Sequence, residues 1–307
     1  MSDIQSILDA TYEKYKNVTD GTVASYIPEL AKADPNWFGI VAVTADGDVY
    51  GVGDVSQGFT IQSTSKPFTY GLALEDNGRE HVLEKVAVEP VGKQFNAIVL
   101  DEKTGRPPNP MMNAGALVIA SMIEGATLTE KLNRILAMFQ RYSGRKMYFD
   151  GIVFTSERQT SFRNRAMGNL LRSTGAIELN VEEVLDLYIQ QCAVVATTTD
   201  LAMMAATFAN GGVHPLTGER ALQAKYVRDV LSVMHSCGMY DSSGEWAYRV
   251  GIPAKSGVSG AIFGVLPNKM GIAVFSPPLD ERGHSVRGVK VFEELSERLC
   301  LHIFQQC

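Results

Sequence analysis

The chain is poor in the residues that build metal sites and disulfide frameworks. Its 307 residues include four cysteines and five histidines. No C-x-x-C pair and no H-E-x-x-H spacing occurs among them, which excludes the common zinc motifs. We therefore expect reduced thiols, surface or packed histidines, and no metal cofactor. The residues concerned are Cys192, Cys237, Cys300, Cys307, His81, His214, His235, His284 and His302.

The sequence also lacks a long hydrophobic run, an export signal and an excess of basic residues. No window reaches the roughly 18 apolar residues that a membrane-spanning helix needs. The segment Met1–Ile4 begins neither a basic nor an apolar stretch. The formal net charge of −6 argues against nucleic-acid or anionic-membrane partners. These features predict a cytoplasmic protein that acts on small molecules.

Hydrophobic periodicity places strands near both ends of the chain and helices in the middle. The predicted strands are 37–44, 48–52, 59–62, 247–255, 261–266 and 270–275, and the predicted helices are 3–16, 64–78, 112–124, 128–142, 157–174, 181–195, 198–210, 219–236 and about 287–304. This order predicts an α/β fold in a single domain of residues 1–307. One antiparallel sheet from both chain ends would be flanked by the terminal helices, with a central helical subdomain at about 64–236.

The most informative motif is Ser-x-x-Lys, in the run Gln62–Lys66. A serine and a lysine three residues apart at the start of a helix lie on one face. The Lys66 amine can then take the Ser63 hydroxyl proton, provided that burial lowers its pKa. A second copy, Ser143 to Lys146, runs into an extended segment with no helix to hold the pair together. The strand-then-helix context favours Ser63 as a nucleophile over a plain helix N-cap.

A Lys-[Ser/Thr]-Gly element accompanies Ser-x-x-Lys in the β-lactamase superfamily. Lys103–Gly105 lies in a proline-rich loop and reads as a turn. Lys255–Gly257 ends one predicted strand and precedes another, so it suits the role better. A backbone N–H of this segment, together with that of Ser63, would form an oxyanion hole. The alternative is a glycine-rich hairpin without a catalytic role.

The local sequence pattern alone does not decide the role of several polar side chains. Glu157, in the predicted capping box Ser156–Gln159, either complements a helix dipole or joins Asn164 in facing an ammonium-bearing ligand. The spacing by itself favours the first role. Tyr188 lies on an apolar helix face and by pattern is a core tyrosine, whose hydroxyl needs a partner. Tyr240 precedes the strand that leads to Lys-Ser-Gly, from where it would move protons or pair with the lysine.

Taken together, these residues resemble the serine-dependent glutaminase family, which has a β-lactamase-like fold. The resemblance covers essentially the whole chain. It implies hydrolysis of L-glutamine to L-glutamate and ammonia through a serine acyl-enzyme, with no metal or organic cofactor, in a homo-oligomer (dimer or tetramer). The segments that carry it are Ala24–Pro28, Gln62–Lys66, Asn109–Ala116, Ser156–Ala166, Gly238–Asp241, Trp246–Gly251, Pro253–Gly260 and Ser276–Asp280.

The resemblance also implies a role for each site residue. Ser63 would be the nucleophile and Lys66 its general base. Tyr188 and Tyr240 would lie beside them, in contact with substrate and placed to move protons. The backbone N–H groups of Ser63 and Val258 would form the oxyanion hole. The remaining substrate-binding residues would be Glu157 for the α-ammonium group and Tyr26, Asn113 and Asn164 for the other polar groups of the α-carbon.

Two other functions are weighed against this one. A β-lactam or peptide hydrolase of the same fold is disfavoured by the missing Ser-Asp-Asn element and the missing export signal. A catalytically silent glutamine-binding protein is disfavoured because Ser63, Lys66 and both tyrosines are intact. Nitrocefin turnover would indicate the first alternative, and glutamine binding without ammonia release the second.

Overall fold

The computed structural model describes residues 4–92 and 97–305. Its strands are β1 (Gly39–Thr44), β2 (Val49–Gly53), β3 (Phe59–Thr60), β4 (Val195–Ala196), β5 (Ala254–Ser256), β6 (Ala261–Leu266) and β7 (Met270–Phe275). Its α-helices are α1 (Ile4–Tyr15), α2 (Lys66–Asn77), α3 (Arg79–Lys85), α4 (Asn113–Ser121), α5 (Leu128–Ser143), α6 (Gly151–Thr160), α7 (Phe162–Ser173), α8 (Val181–Cys192), α9 (Thr198–Ala209), α10 (Ala224–Cys237), α11 (Ser243–Arg249) and α12 (Val286–Arg298).

A five-stranded antiparallel sheet joins the two ends of the described chain. Its strand order is β2-β1-β7-β6-β5, so β1 from the N-terminal part pairs with β7 from the C-terminal part. The predicted hairpin is confirmed, because β1 and β2 pair with Val41 opposite Gly51. The predicted α/β fold with a sheet made from both chain ends is therefore confirmed. The proposed subdomain at about 64–236 stays a prediction.

The two faces of the sheet bury different side chains, as the alternation along a strand requires. Ile40 packs in a core cluster with side chains of α1 and α12, whereas its neighbour Val41 packs in the larger core of the central helices. Helix α9 lies directly on this second face. A Cβ atom at Gly271 would come within 2.2 Å of the Ala206 backbone nitrogen, so this close contact requires glycine. The terminal helices thus cover one face and α9 the other.

The single helix predicted over 157–174 is wrong, because two helices occupy this stretch. Helix α6 begins earlier, where the Asp150 carboxylate accepts hydrogen bonds from the Ile152 and Val153 N–H groups. The chain then breaks at Ser161, whose hydroxyl bonds the Glu157 carbonyl at 2.6 Å. The predicted capping box at Ser156 is also wrong. Glu157 therefore lies in the last turn of α6, where the helix dipole does not favour its charge.

The strand predicted over 247–255 is wrong for most of its length. The first three residues of the predicted strand, 247–249, belong to α11, and strand β5 covers Ala254–Ser256. Between them Gly251 has φ +66°, a left-handed conformation that glycine adopts readily. Trp246 Nε1 also donates to the Ile252 carbonyl at 2.8 Å and holds the turn. An apolar pattern shared by a short helix and a strand misled the prediction.

Other predicted boundaries are close to those observed. The helices predicted over 181–195 and 287–304 end earlier, at Cys192 and Arg298, and α3 was not predicted. No helix within 4–92 and 97–305 combines the length and apolar character needed to cross a bilayer.

The cysteine prediction is partly wrong. Cys192 and Cys237 are free, as expected, and both are buried, but Cys300 is disulfide-bonded. Cysteine spacing alone does not reveal pairing of this kind. Cys307 lies outside the described residues.

The predicted third strand forms a separate, smaller sheet that leads to the nucleophile. Strand β3 pairs with β4, which places Phe59 opposite Ala196. The chain continues as a 3-10 turn over Gln62–Ser65 and passes without a break into α2. Pro67 is tolerated because the first N–H groups of a helix have no partner within it. Ser63 thus lies in a tight turn at the mouth of α2.

Candidate active site

Ser63 and Lys66 are in direct contact at the start of α2. Lys66 Nζ lies 2.7 Å from Ser63 Oγ, and the two side chains are 1% and 6% exposed. Burial lowers the pKa of Lys66 to about 8, although Cys192 and Glu157 nearby favour its charged form. With that pKa about a tenth of the lysine is neutral at pH 7, far more than at the usual pKa of a lysine. The pair can therefore activate a hydroxyl for attack on a carbonyl.

Asn113 links this pair to the rest of the site. It is the first residue of α4, and its Oδ1 accepts hydrogen bonds from Lys66 Nζ at 2.8 Å and from the Tyr188 hydroxyl at 3.2 Å. Its Nδ2 donates to Asn164 Oδ1 at 3.1 Å. Tyr188 is thus a buried phenol with a polar partner inside the site. The arrangement orients the Lys66 amine toward Ser63.

A cavity of about 320 Å³ opens beside Ser63. Ser63 and Glu157 both line it, and Glu157 is 7% exposed with no hydrogen-bond partner on Oε2 among the described residues. Burial raises the pKa of Glu157 to about 7, against the opposing effects of a hydrogen bond from Gln62 and the charge of Lys66. A carboxylate with a spare oxygen at a cavity wall can receive an ammonium group. The predicted site residues lining this cavity are Tyr26, Ser63, Asn113, Glu157, Asn164 and Tyr188.

Asn164 reaches the cavity by a different route from the one predicted. It lies on α7, while Glu157 lies on α6, so the break at Ser161 brings the two side chains to one cavity. Tyr26 comes from a loop before β1 and is 55% exposed at the cavity mouth. Three larger cavities among the described residues, of about 330, 420 and 440 Å³, are not lined by Ser63.

Tyr240 approaches Ser63 from the side of the sheet. Its hydroxyl donates to the Ser256 carbonyl at 3.2 Å. Burial raises the pKa of Tyr240 to about 12, while hydrogen bonds with Ser63 and Ser256 act in the opposite direction. Lys255 Nζ lies 3.9 Å from the centroid of the Tyr240 ring and donates to the Ser256 carbonyl at 2.7 Å. Burial, reinforced by Lys66, moves the pKa of Lys255 well below its usual range.

Val258 lies in the turn between β5 and β6, close to the nucleophile. Gly257 N–H donates to the Ala261 carbonyl, and Gly260 N–H donates to the Gly257 carbonyl, which closes the turn. The Val258 N–H belongs to the middle of this turn, where amides are not used by the turn's own hydrogen bond. A Cβ at Gly257 would lie 3.1 Å from the Thr64 Cγ2, so the turn and the Ser63 segment are in contact.

The second copies of the two motifs lack the buried contacts that surround Ser63 and Lys66. Ser143 closes α5 and its hydroxyl donates to the Arg145 carbonyl at 3.0 Å, while Lys146 is exposed. Thr104 of the other Lys-Thr-Gly copy donates to Asp101 in an exposed turn. The choice of the Ser63 and Lys255 copies made from sequence context therefore agrees with their position in the fold.

Sequence reasoning missed Gln62 and His284, and it did not predict the backbone conformation of Tyr240. Gln62 has φ +48°, and its side chain bonds Glu157 and lies 3.3 Å from Thr60 Oγ1. Tyr240 was predicted, but its φ of +52° was not. Non-glycine residues in this region cost about 1–3 kcal/mol and cluster at functional sites. His284, whose ring lies against Tyr240, was also missed, since no motif marks it.

These observations define a protein of β-lactamase-like fold whose cleft has the groups for acyl transfer. The family model described as Glutaminase matches residues 21–304. A glutaminase of Nostoc sp. is 60% identical over 304 residues, covering 99% of this chain and 91% of the relative. A solved structure named as the probable glutaminase ybaS has a TM-score of 0.96 at 41% identity, covering 98% of each chain.

A probable glutaminase from Bacillus subtilis, solved in complex with 6-diazo-5-oxo-L-norleucine, has a TM-score of 0.91 at 34% identity. The match covers 99% of this chain and 97% of that one. The chain therefore belongs to the glutaminase family, and its activity is that of a glutaminase, the hydrolysis of L-glutamine to L-glutamate and ammonia.

Proposed function

We propose that Ser63 attacks the side-chain amide of L-glutamine and that Lys66 removes its proton. One observation carries this assignment: Lys66 Nζ lies 2.7 Å from Ser63 Oγ in a fully buried position, with its pKa lowered to about 8. A primary amide is a poor electrophile, so a covalent acyl-enzyme divides one difficult step into two easier ones. The Ser63 oxygen bonds to the amide carbon as its proton passes to Lys66.

The oxyanion that forms needs hydrogen-bond donors. We assign this role to the backbone N–H groups of Ser63 and Val258, each worth roughly 3–4 kcal/mol in such a site. Collapse of the tetrahedral intermediate breaks the carbon–nitrogen bond, and the leaving nitrogen takes a proton from Lys66 or Tyr240. Water then attacks the ester by the same path, releasing L-glutamate and restoring the Ser63 hydroxyl.

Recognition of the substrate is assigned to the far wall of the cavity. Glu157 accepts the α-ammonium group, in keeping with its buried position and its unpartnered Oε2. Tyr26, Asn113 and Asn164 bind the remaining polar groups of the α-carbon. Tyr188 contacts the substrate and supports Asn113 through its hydroxyl. A charged group at this wall discriminates free glutamine from amides that lack an ammonium.

The nucleophile can be tested with 6-diazo-5-oxo-L-norleucine, which the Bacillus subtilis relative is named as binding. The Ser63 oxygen should attack the diazomethyl carbon after that carbon gains a proton, with loss of N₂. Intact-mass and peptide mapping should then find one adduct, equal to the compound less N₂, on Ser63. Ser63→Ala should show none. An adduct on another residue would overturn the assignment.

The substrate range can be tested by an ammonia assay with glutamine and asparagine side by side. Glutamine should be the better substrate, because the fold fixes the distance from the Glu157 wall to Ser63. Asparagine is one methylene shorter, so its amide would not reach Ser63 while its ammonium group is held at Glu157. Equal rates would contradict a role for Glu157 in fixing the α-carbon.

A homo-oligomer and a cytoplasmic location stay predictions that rest on the family resemblance and on composition.

A further inference from the structure

The loop between β7 and α12 lies against the proposed catalytic residue Tyr240. His284 in this loop is 2% exposed, and its ring stacks on the Tyr240 ring with centroids 5.3 Å apart and planes 13° apart. The His284 N–H donates to Asp280 Oδ1 at 2.9 Å, and the Asp280 N–H donates to the His284 carbonyl at 2.8 Å. The loop is therefore closed on itself at the residue that carries the imidazole.

The imidazole is also connected to the partner of the Tyr240 hydroxyl. His284 Nδ1 lies 3.0 Å from Ser256 Oγ, and the Ser256 carbonyl accepts the Tyr240 hydroxyl and the Lys255 amine. Burial lowers the pKa of His284 to about 4, so a neutral ring faces Tyr240. The charged or titratable groups around it are Asp280, Lys255, Asp241 and Arg282.

The same loop holds the Tyr240 turn at a second point. Arg282 Nη1 donates to Ser242 Oγ at 3.1 Å, within the 3-10 turn Tyr240–Ser242. Tyr240 has φ +52°, a conformation that persists only when its surroundings enforce it. The ring stack, the Ser256 bond and the Arg282 contact supply that enforcement from one short loop.

We propose that His284 is a positioning residue that holds the Tyr240 hydroxyl in line with Ser63. It acts through ring stacking and through the fixed orientation of Ser256, and it does not touch the substrate. This role rests on the function proposed above for Tyr240. Displacements of about 1 Å in a catalytic group cost up to roughly 100-fold in rate. The loss should therefore appear in kcat, while KM for glutamine, set at the Glu157 wall, should stay unchanged.

A double-mutant cycle tests the coupling between the two rings. His284→Phe keeps the stack and loses the Ser256 bond, whereas His284→Asn keeps a bonding group and loses the stack. Each should lower kcat roughly 10-fold or more with KM within about twofold. In a Tyr240→Phe background the same substitutions should lower kcat no further, because the hydroxyl they position is gone. Ser256→Ala removes the other half of the Nδ1 bond and should reproduce the effect of His284→Phe.

His302→Asn is the matched control. His302 is also a hydrogen-bonded histidine beside an aromatic ring: its ring lies at 48° to that of Phe304, and its Nε2 is 3.1 Å from the Ala247 carbonyl. Its replacement should leave kcat unchanged. Thermal unfolding establishes that each variant is folded. Multiplicative losses in the cycle, an unchanged kcat in the His284 variants, or a loss confined to KM would overturn the role of His284. An unaffected kcat in Tyr240→Phe alone would instead overturn the function proposed for Tyr240.

Discussion

Replacing Glu157 by glutamine should weaken glutamine binding far more than it disturbs folding. The side chain keeps its size and can still bond Gln62, so the buried site stays filled. What is lost is the negative charge on an oxygen that has no other partner among the described residues. A hydrogen bond between charged groups is worth about 1.5–3 kcal/mol, so KM should rise roughly 10- to 150-fold.

The pH dependence gives an independent readout of the same substitution. Glu157 must be ionised to hold the ammonium group, and its pKa is about 7. Lys66 must be neutral to act as a base, and its pKa is about 8. Both groups therefore lose function as the pH falls. Log kcat/KM should rise with pH with a slope of about 2 below pH 7, about 1 between pH 7 and 8, and then level off.

In the Glu157→Gln variant one of the two titrations disappears. The slope below pH 7 should fall to about 1, since Lys66 alone remains. The remaining midpoint should also move below pH 8, because the charge of Glu157 raises the pKa of Lys66 in the native enzyme. The lower slope and the lower midpoint both result from the loss of the Glu157 carboxylate, so they should appear together.

The assay is ammonia release measured over glutamine concentration at closely spaced pH values. Glu183→Gln, an exposed glutamate on α8, is the matched control and should leave KM and the slope unchanged. An unchanged KM in Glu157→Gln would remove Glu157 from the substrate site. A raised KM with an unaltered slope would show that the raised pKa of Glu157 does not govern the acid limb.

Three further predictions concern the nucleophile, its base and the scaffold. Ser63→Ala should lower kcat by roughly 10⁴- to 10⁶-fold with an unchanged thermal unfolding curve, and retained ammonia release would refute the nucleophile. Lys66→Met should lower kcat by roughly 10²- to 10⁴-fold and abolish the pH dependence near 8, which a persistent midpoint there would contradict. Gly115→Ala should cost about 1–3 kcal/mol of stability and raise KM, because its Cβ would meet the Asn109 carbonyl at 2.0 Å and displace Asn113; an unchanged Tm would refute the contact.

The sheet could be predicted from sequence because its signals are local. The Asp-Gly step fixes the hairpin, and the buried runs at 261–266 and 270–275 match β6 and β7. A single sheet built from both chain ends was predicted from the strands at both ends, whereas the pairing of β1 with β7 within it was not. The errors arose where local preference and tertiary contact disagree. A break at Ser161 and a helix up to Arg249 are both held by side-chain to backbone bonds that no periodicity reports.

The candidate residues that the structure brings to one cavity could be named from sequence, but their geometry could not. Ser63, Lys66 and Lys255 could be chosen over their duplicate motifs because strand and helix context decides which serine and lysine can meet. The link from Asn113 to Lys66 could not be foreseen, since it joins helices distant in sequence. The position of Glu157 near the end of α6 was likewise hidden, because the pattern was attributed to a helix start.

The backbone conformations of two residues at the site could not be predicted from local sequence preference. Gln62 and Tyr240 both adopt left-handed φ values, and each is adjacent to or bonded with Ser63. Such conformations run against local preference and persist because burial and hydrogen bonds around them outweigh the cost. Gln62 directs its side chain to Glu157, and Tyr240 directs its hydroxyl to Ser256 and Ser63. The two left-handed residues therefore bring the wall proposed to bind the ammonium group and the tyrosine proposed to move protons to one serine.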